Sequence, residues 1–323
     1  MMEEAIRNFP KQFAWDPILE NGDRLKGFKR FLVVGMGGSA HPGQLIQTAD
    51  PCVDVIVHRD YGLSQISKDP VEDRLVIACS YSGNTEEPIS AFQEAFKKGL
   101  PLCAVSVGGK LLELARQFSV PYIQIPNTGI QPRMAAGFIF RAFAKIMGKN
   151  DMLEQSSFLA LDLDAESLKE EGKNLAQTLN GSIPLIYASR VNTSLAHIWK
   201  ITLNETGKIP AFYNVFPELN HNEMTGFDLQ ESTKHLSERF HFIFLRDQND
   251  HPLVQKRMDV TAQFYRQRGL KVEMLELKGK TVFYKIFSSL LVADWTAYYL
   301  ALHYGVDPEQ IPMVEEFKKL ISE

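Results

Sequence analysis

The sequence predicts an α/β fold of two lobes, each a parallel sheet flanked by helices in three layers. Three observations carry this expectation. Runs such as Phe31-Leu-Val-Val34 and Leu75-Val-Ile-Ala-Cys79 are continuously apolar rather than alternating, the pattern of strands buried on both faces. Segments of helical spacing alternate with them, as in a parallel sheet with crossover helices. The alternation pauses at a composition shift, Gly148-Lys-Asn150-Asp151, and begins again near Ile183; a chain of 323 residues is comfortable for two such lobes. The lobes are placed at 1–150 and 151–323.

Residues 2–29 read as a leading helix and a polar connection, with Phe9, Phe13 and Trp15 available to pack it onto the rest of the lobe; this opening carries no recognisable chemistry. A strand at 30–34 then runs into the glycine-rich turn Gly35-Met-Gly37-Gly38-Ser39-Ala40 and a helix near 43–48. Strands follow at 53–57, 75–80, 102–106 and 122–125, with helices at 86–98 and 110–118. Gln131-Pro132-Arg133 introduces an apolar helix through about Met147. In the second lobe, 164–179 has helical spacing, 183–189 reads as a strand and 194–203 as a helix. The pattern resumes with strands at 240–245 and 272–277, helices at 252–267 and 281–304, and a closing amphipathic helix at 314–321. Two successive lobes of one architecture suggest a divergent duplication.

The net charge of −4 and pI near 6.1, with no block of Lys or Arg, give no electrostatic footprint for nucleic acid. Cys52, Cys79 and Cys103 are odd in number and widely spaced, two of them inside apolar runs, which reads as buried free thiols and fits a reducing cytoplasm. The first ten residues are amphipathic and acidic where a signal peptide is basic and then apolar. No apolar run reaches the roughly 18 residues that span a bilayer.

The chemistry-bearing stretch is Ser80-Tyr-Ser82-Gly83-Asn84-Thr85-Glu86-Glu87, at the junction of a strand and a helix. Such a junction gathers backbone N–H groups, hydroxyls and the positive end of a helix dipole, which suits a phosphate dianion. No lysine or arginine lies in the loop, so neutral donors hold the anion. Ordinary helix capping uses one hydroxyl; three hydroxyls around Gly83 exceed it. The Gly35 turn also satisfies a loose dinucleotide fingerprint, with His58-Arg59-Asp60 beyond the next strand. That reading leaves the Ser80 loop without a task. Arg133 stands at a helix start, where the dipole favours anions, and a ligand anion nearby explains it. Asn204-Glu205 and Glu218-Leu-Asn220-His221-Asn222-Glu223 place carboxylates, amides and a histidine in segments of loop-like composition, suited to acid–base work. A metal held by Glu218, His221 and Glu223 lacks the spacing of known zinc motifs.

These segments, with Gly108-Gly-Lys-Leu111, occur in the order found in the bifunctional phosphoglucose/phosphomannose isomerase family, which the chain resembles from about residue 20 to its end. The Ser80 loop alone signals a sugar isomerase (SIS) domain, and the Gln131 and Asn220 segments narrow it to this family. The resemblance implies two SIS-type lobes and an aldose–ketose isomerase acting on glucose 6-phosphate or mannose 6-phosphate. It implies a phosphate held by Ser39, Ser80, Ser82 and Thr85 on a loop shaped by Gly37, Gly38 and Gly83. Glu205 matches the family's catalytic base, His221 its ring-opening histidine, Arg133 the arginine near the reacting carbons, and Lys318 the lysine of the C-terminal helix. The family is dimeric, with the histidine reaching the site from the partner subunit, and its chemistry needs neither a metal nor a nicotinamide. The chain departs from the family at His41-Pro42-Gly43-Gln44, at Ile198 and at Thr206-Gly207, none of which is assigned to chemistry.

Overall fold

The computed structural model describes residues 1–25, 27–63 and 71–321. The chain divides into two compact units, essentially Glu3–Asp164 and the residues from Ala165 onward. The composition shift at Gly148 predicts the boundary at 150/151 instead. The chain stays with the first unit past Gly148 because two short helices, α6 (Asn150–Ser157) and α7 (Leu159–Asp162), follow there. They bury Met152, Leu153 and Leu159 against the N-terminal 3-10 turn Phe9–Ala14 and the helix α5 (Ala136–Ile146).

In the first unit, β1 (Arg30–Val34), β2 (Asp54–His58), β3 (Leu75–Cys79), β4 (Leu102–Ser106) and β5 (Tyr122–Gln124) form one parallel sheet in the order β2-β1-β3-β4-β5. The register pairs Phe31 with Leu75, Arg30 with Asp54 and Val76 with Leu102. β3 and β4 are buried at every residue, as strands covered on both faces must be. Leu32, Val34, Val76, Ala78, Leu102 and Ala104 face the helices α3 (Glu86–Lys97) and α4 (Gly109–Gln117), which contribute Phe92, Leu111 and Leu114 to that core. α2 (His41–Ala49) lies on the opposite face, where Gly43 approaches Val33 and Val57. Ahead of the sheet comes α1 (Met2–Asn8), and Glu20 pairs with Tyr122 to cover the β5 edge. At the amino ends of the strands the buried Arg74 guanidinium clasps Asp54 at 2.7 Å and the Phe31 carbonyl at 3.3 Å. The loops that follow Val34 and Cys79 are at the other end.

The second unit repeats the plan with four strands, β6 (Ile183–Ser189), β7 (Phe212–Phe216), β8 (Phe240–Arg246) and β9 (Lys271–Glu276), in the parallel order β7-β6-β8-β9. The sequence pattern predicts no strand at β7. Its residues pair Leu185 with Phe212 and Ser189 with Phe216, yet Phe212 and Tyr213 are exposed because β7 is an edge, so no buried apolar run marks it. α8 (Lys169–Leu179), α9 (Thr193–Glu205) and α12 (Val282–His303) cover one face; α10 (Glu223–Gly226) and α11 (Pro252–Gln267) lie with the other. That second core is aromatic, with Tyr187, Phe216, Phe227, Phe242, Phe244 and Tyr265 in mutual contact. α13 (Pro312–Ile321) closes the chain and buries none of its residues. Among the described residues no helix is long and apolar enough to cross a membrane. Cys79 and Cys103 are buried free thiols, whereas Cys52 is exposed on the turn before β2.

Candidate active site

In the first unit β1 and β3 end side by side, and their crossovers leave in opposite directions, to β2 and to β4. The two loops therefore part and open a crevice at the carboxyl ends of the strands, where open α/β sheets take their ligands. The buried Ser39 hydroxyl bridges the loops by accepting the Tyr81 N–H at 2.9 Å. Ser80, 1 % exposed, turns its hydroxyl into its own loop. It accepts the N–H of Gly83 at 3.0 Å and of Thr85 at 3.4 Å, and pairs with the Thr85 hydroxyl at 2.9 Å. Ser82 is exposed at the lip and accepts the Asn84 N–H at 3.3 Å.

Gly83 is held at φ +78°, and a Cβ there would sit 1.8 Å from the Gly108 carbonyl oxygen, so no other residue fits. That approach joins the β3 loop to the β4 loop: Leu111 N–H donates to the Gly83 carbonyl at 2.8 Å and Lys110 N–H to Asn84 Oδ1 at 3.0 Å. The capping alternative is not met. Thr85 is the N-cap of α3, yet its side chain bonds none of the N–H groups of the first turn and instead accepts from the Ser80 hydroxyl. The helix end stays open to an outside acceptor.

Arg133 lies in the 3-10 turn Pro132–Met134, just before α5 rather than inside its first turn. Gly38 brings this turn to the crevice. A Cβ on Gly38 would meet the Pro132 oxygen at 2.8 Å and the Arg133 Cα at 2.9 Å, so only glycine permits the contact. Ser39, Ser80, Thr85 and the Arg133 turn thus belong to one connected set of loops.

In the second unit, Asn204 and Glu205 are helical, contrary to the loop expected from their composition. The buried face of Leu195, Ile198, Trp199, Thr202 and Leu203 is continued on their far side by Thr206, and α9 stops only at Thr206-Gly207. Asn204 donates to the Ile209 carbonyl at 2.9 Å, closing the turn behind Glu205, which is half-buried. Lys208 Nζ donates to the Glu205 carbonyl and to the Gln310 carbonyl. The ammonium therefore fastens the segment that leads into α13 to the end of α9. Lys318 stands in the last turn of α13, exposed, where a cation also suits the helix dipole.

His221 ends the 3-10 turn Glu218–His221 after β7. Its neighbours are all spent on the fold. Asn220 donates to Thr261 Oγ1 at 2.8 Å, Asn222 donates to Glu218 Oε1 at 2.9 Å and caps Glu223 N–H at 2.6 Å. Glu223 in turn accepts from the Tyr187 hydroxyl at 2.5 Å and from Asn214 Nδ2 at 2.6 Å. With Leu219 buried beneath, the turn is rigid and presents the imidazole of His221 to solvent. Burial and the adjoining Glu223 carboxylate push the Tyr187 phenol far above its ordinary pKa, so it stays a donor.

Proteins of similar sequence and fold bear on what these loops serve. Residues 168–321 match the family described as the bacterial phospho-glucose isomerase C-terminal SIS domain. The chain is 33% identical over 98% of both lengths to a bifunctional phosphoglucose/phosphomannose isomerase of Aquifex aeolicus. It is 34% identical to the protein of that name from Caldicellulosiruptor bescii, covering 100% of this chain and 99% of the relative. The chain belongs to this isomerase family. Among solved structures, the tagatose-6-phosphate ketose/aldose isomerase of Escherichia coli superposes with a TM-score of 0.68 over 95% of this chain and 94% of that one, at 14% identity, a likeness of fold. Seen as a member of the phosphoglucose/phosphomannose isomerase family, the chain has its Ser80 loop and its Arg133 turn in one unit and Glu205, His221 and Lys318 in the other. Sequence reasoning passed over Lys208 and Gln12, because a lone lysine after a helix and a glutamine in an amphipathic leader carry no spacing signal.

Proposed function

We propose that the protein interconverts glucose 6-phosphate and mannose 6-phosphate with fructose 6-phosphate through an enediol. The observation that carries this reading is the hydroxyl cradle at the carboxyl ends of β1 and β3, built from neutral donors beside an open helix end. A cradle of that kind takes a phosphate dianion that is not itself transformed, so its binding energy goes to orienting the sugar. The Ser80–Thr85 pair leaves the Thr85 hydroxyl hydrogen for the phosphate, with Ser82 and the Gly83–Thr85 backbone shaping the rim. Ser39 fixes the β3 loop through Tyr81 and closes the other side.

On the sugar, His221 and Lys318 move protons between the ring oxygen and the anomeric hydroxyl, opening the ring. Glu205 removes the C2 proton and the electron pair shifts to the carbonyl, giving an enediolate; the proton returns to C1. Arg133 stabilises the charge that develops on oxygen. The exposure of His221 on a rigid turn supports its delivery to a site outside its own chain, and with it a homodimer. We place the reaction in the cytoplasm, in glycolysis and gluconeogenesis.

The test is deuterium wash-in at C2 of each sugar phosphate in heavy water, followed by NMR, for the parent protein and Glu205→Gln. Exchange accompanied by fructose 6-phosphate, and lost in the variant, is expected. Binding of both sugar phosphates without exchange would sink the reading.

A further inference from the structure

The N-terminal segment shows no chemistry in its sequence, yet it buries one amide beside the candidate arginine. Gln12, in the 3-10 turn Phe9–Ala14, is 4% exposed and shares that turn with the buried Phe9 and Phe13, at 2% and 0%. Both ends of its amide are used. Nε2 donates to the Met134 carbonyl at 2.6 Å, and Oε1 accepts the Phe138 N–H at 3.1 Å. Phe138 is the third residue of α5, whose own N-cap, Ala135, offers no side-chain acceptor. Gln12 thus caps that helix from a distant segment while holding the carbonyl of the residue next to Arg133. Gly137 makes room for it, since a Cβ there would lie 2.9 Å from the Gln12 Cβ. A second tie along the same helix, Arg141 to the Trp15 carbonyl, keeps the leader in register with α5.

Arg133 is accordingly gripped from two sides. Gly38 abuts its Cα from the cradle, and Gln12 fixes the following carbonyl from the leader. A buried amide with both ends satisfied is a stiff spacer, because losing either bond leaves a buried backbone group without a partner. We propose that Gln12 is a positioning residue that sets the place of Arg133 relative to the phosphate cradle, an inference that rests on the role proposed above for Arg133.

The experiment compares Gln12→Met, which keeps length and apolar packing, in the parent protein and in Arg133→Ala. Thermal melts show whether each variant is folded. The first substitution is expected to lower kcat about tenfold, as a misplaced group does. The inhibition constant of inorganic phosphate should move by less than about twofold, because the cradle is untouched. In the Arg133→Ala background the same change should cost less than about a further twofold, because the group it positions is gone. A structural role alone lowers the active fraction in both backgrounds alike, so losses that multiply overturn the proposal, as does an unchanged kcat in folded Gln12→Met. Gly137→Ala, which keeps the Gln12 amide but displaces it by crowding its Cβ at 2.9 Å and its Oε1 at 3.0 Å, is read by the same numbers and replaces Gln12→Met if that variant does not fold. If Arg133→Ala turns over sugar phosphate as the parent does, the role of Arg133 fails and this inference with it; a large loss there with none from Gln12 overturns the inference alone.

Discussion

Gly38 and Arg133 touch backbone to backbone: a single methyl on Gly38 would come within 2.9 Å of the Arg133 Cα and 2.8 Å of the preceding carbonyl oxygen. The partner there is main chain, which cannot rotate away as a side chain can. Gly38→Ala is therefore expected to displace the Pro132–Met134 turn and to destabilise the fold by about 1–3 kcal/mol, the range of overpacking. The kinetic signature is a fall in kcat larger than the rise in KM. Steady-state rates with either sugar phosphate and a denaturant melt check it, and a variant with parental kcat would show that the contact does not set the arginine.

Ser80 and Ser82 are two residues apart and their removal should read differently. Ser80→Ala removes the side-chain acceptor of the Gly83 and Thr85 N–H groups and the partner of the Thr85 hydroxyl; Gly83 N–H keeps the Ser80 carbonyl at 3.1 Å, so a loss of about 1 kcal/mol of stability is expected along with weaker phosphate binding. Ser82 is exposed and supports one turn bond at 3.3 Å; Ser82→Ala should change stability within about 0.5 kcal/mol and raise KM without moving Tm. Calorimetric titration with inorganic phosphate and thermal melts separate the two. Equal losses of stability would contradict the assignment of Ser80 as the loop's internal acceptor.

The strand-to-helix loop at Ser80 was legible in the sequence because it is local: hydroxyls, one glycine and the switch from strand to helix fall within eight residues. The parallel sheets were legible for the same reason, since strands such as β3 and β4, buried on both faces, leave unbroken apolar runs. What was not legible depends on contacts across long sequence separations. β7 is an exposed edge without such a run, and its strand character comes from pairing with β6. Glu205 is helical because α9 runs two residues past the expected end at 203, its inner face continued from Thr202 and Leu203 to the buried Thr206. Gln12 acts 122 residues away from the carbonyl it holds, and no local pattern announces that.

The turn that carries His221 hangs on Glu223. Removing its carboxylate in Glu223→Ala leaves the Tyr187 hydroxyl and Asn214 amide without their acceptor, at a cost of about 1–3 kcal/mol for a buried group. Tyr187→Phe removes one donor and leaves Glu223 bonded to Asn214, so its effect should be smaller. Both lie in the pair's shared network, and the double variant should cost less than the sum. If His221 works from this turn, kcat falls with Glu223→Ala while the phosphate inhibition constant holds. A stability loss with no kinetic change would separate the turn from the chemistry.

Asp250 predicts a pH dependence in the second unit. It follows β8, is buried, and has its Oδ1 3.4 Å from the Asn192 amide, while Oδ2 meets no partner among the described residues. Burial, with the Asp247 carboxylate adding to it, raises its pKa against the opposing pull of the Ser189 hydroxyl and Lys285. A carboxyl whose folded pKa lies above its unfolded value binds protons more tightly in the native state. Its stabilising contribution is complete below the unfolded value, about 3.9 for aspartate, and is lost as the pH climbs through the raised folded value. An amide in place of the acid cannot ionise, so Asp250→Asn should abolish that loss. Chemical denaturation from acid to neutral pH is expected to show the stability of the variant, relative to the parent, rising with pH. The absolute offset also includes the new amide donor at the Oδ2 position, so the slope is the decisive quantity. A variant-minus-parent difference that stays flat over this range would mean that the Asp250 carboxyl titrates alike in the folded and unfolded chain.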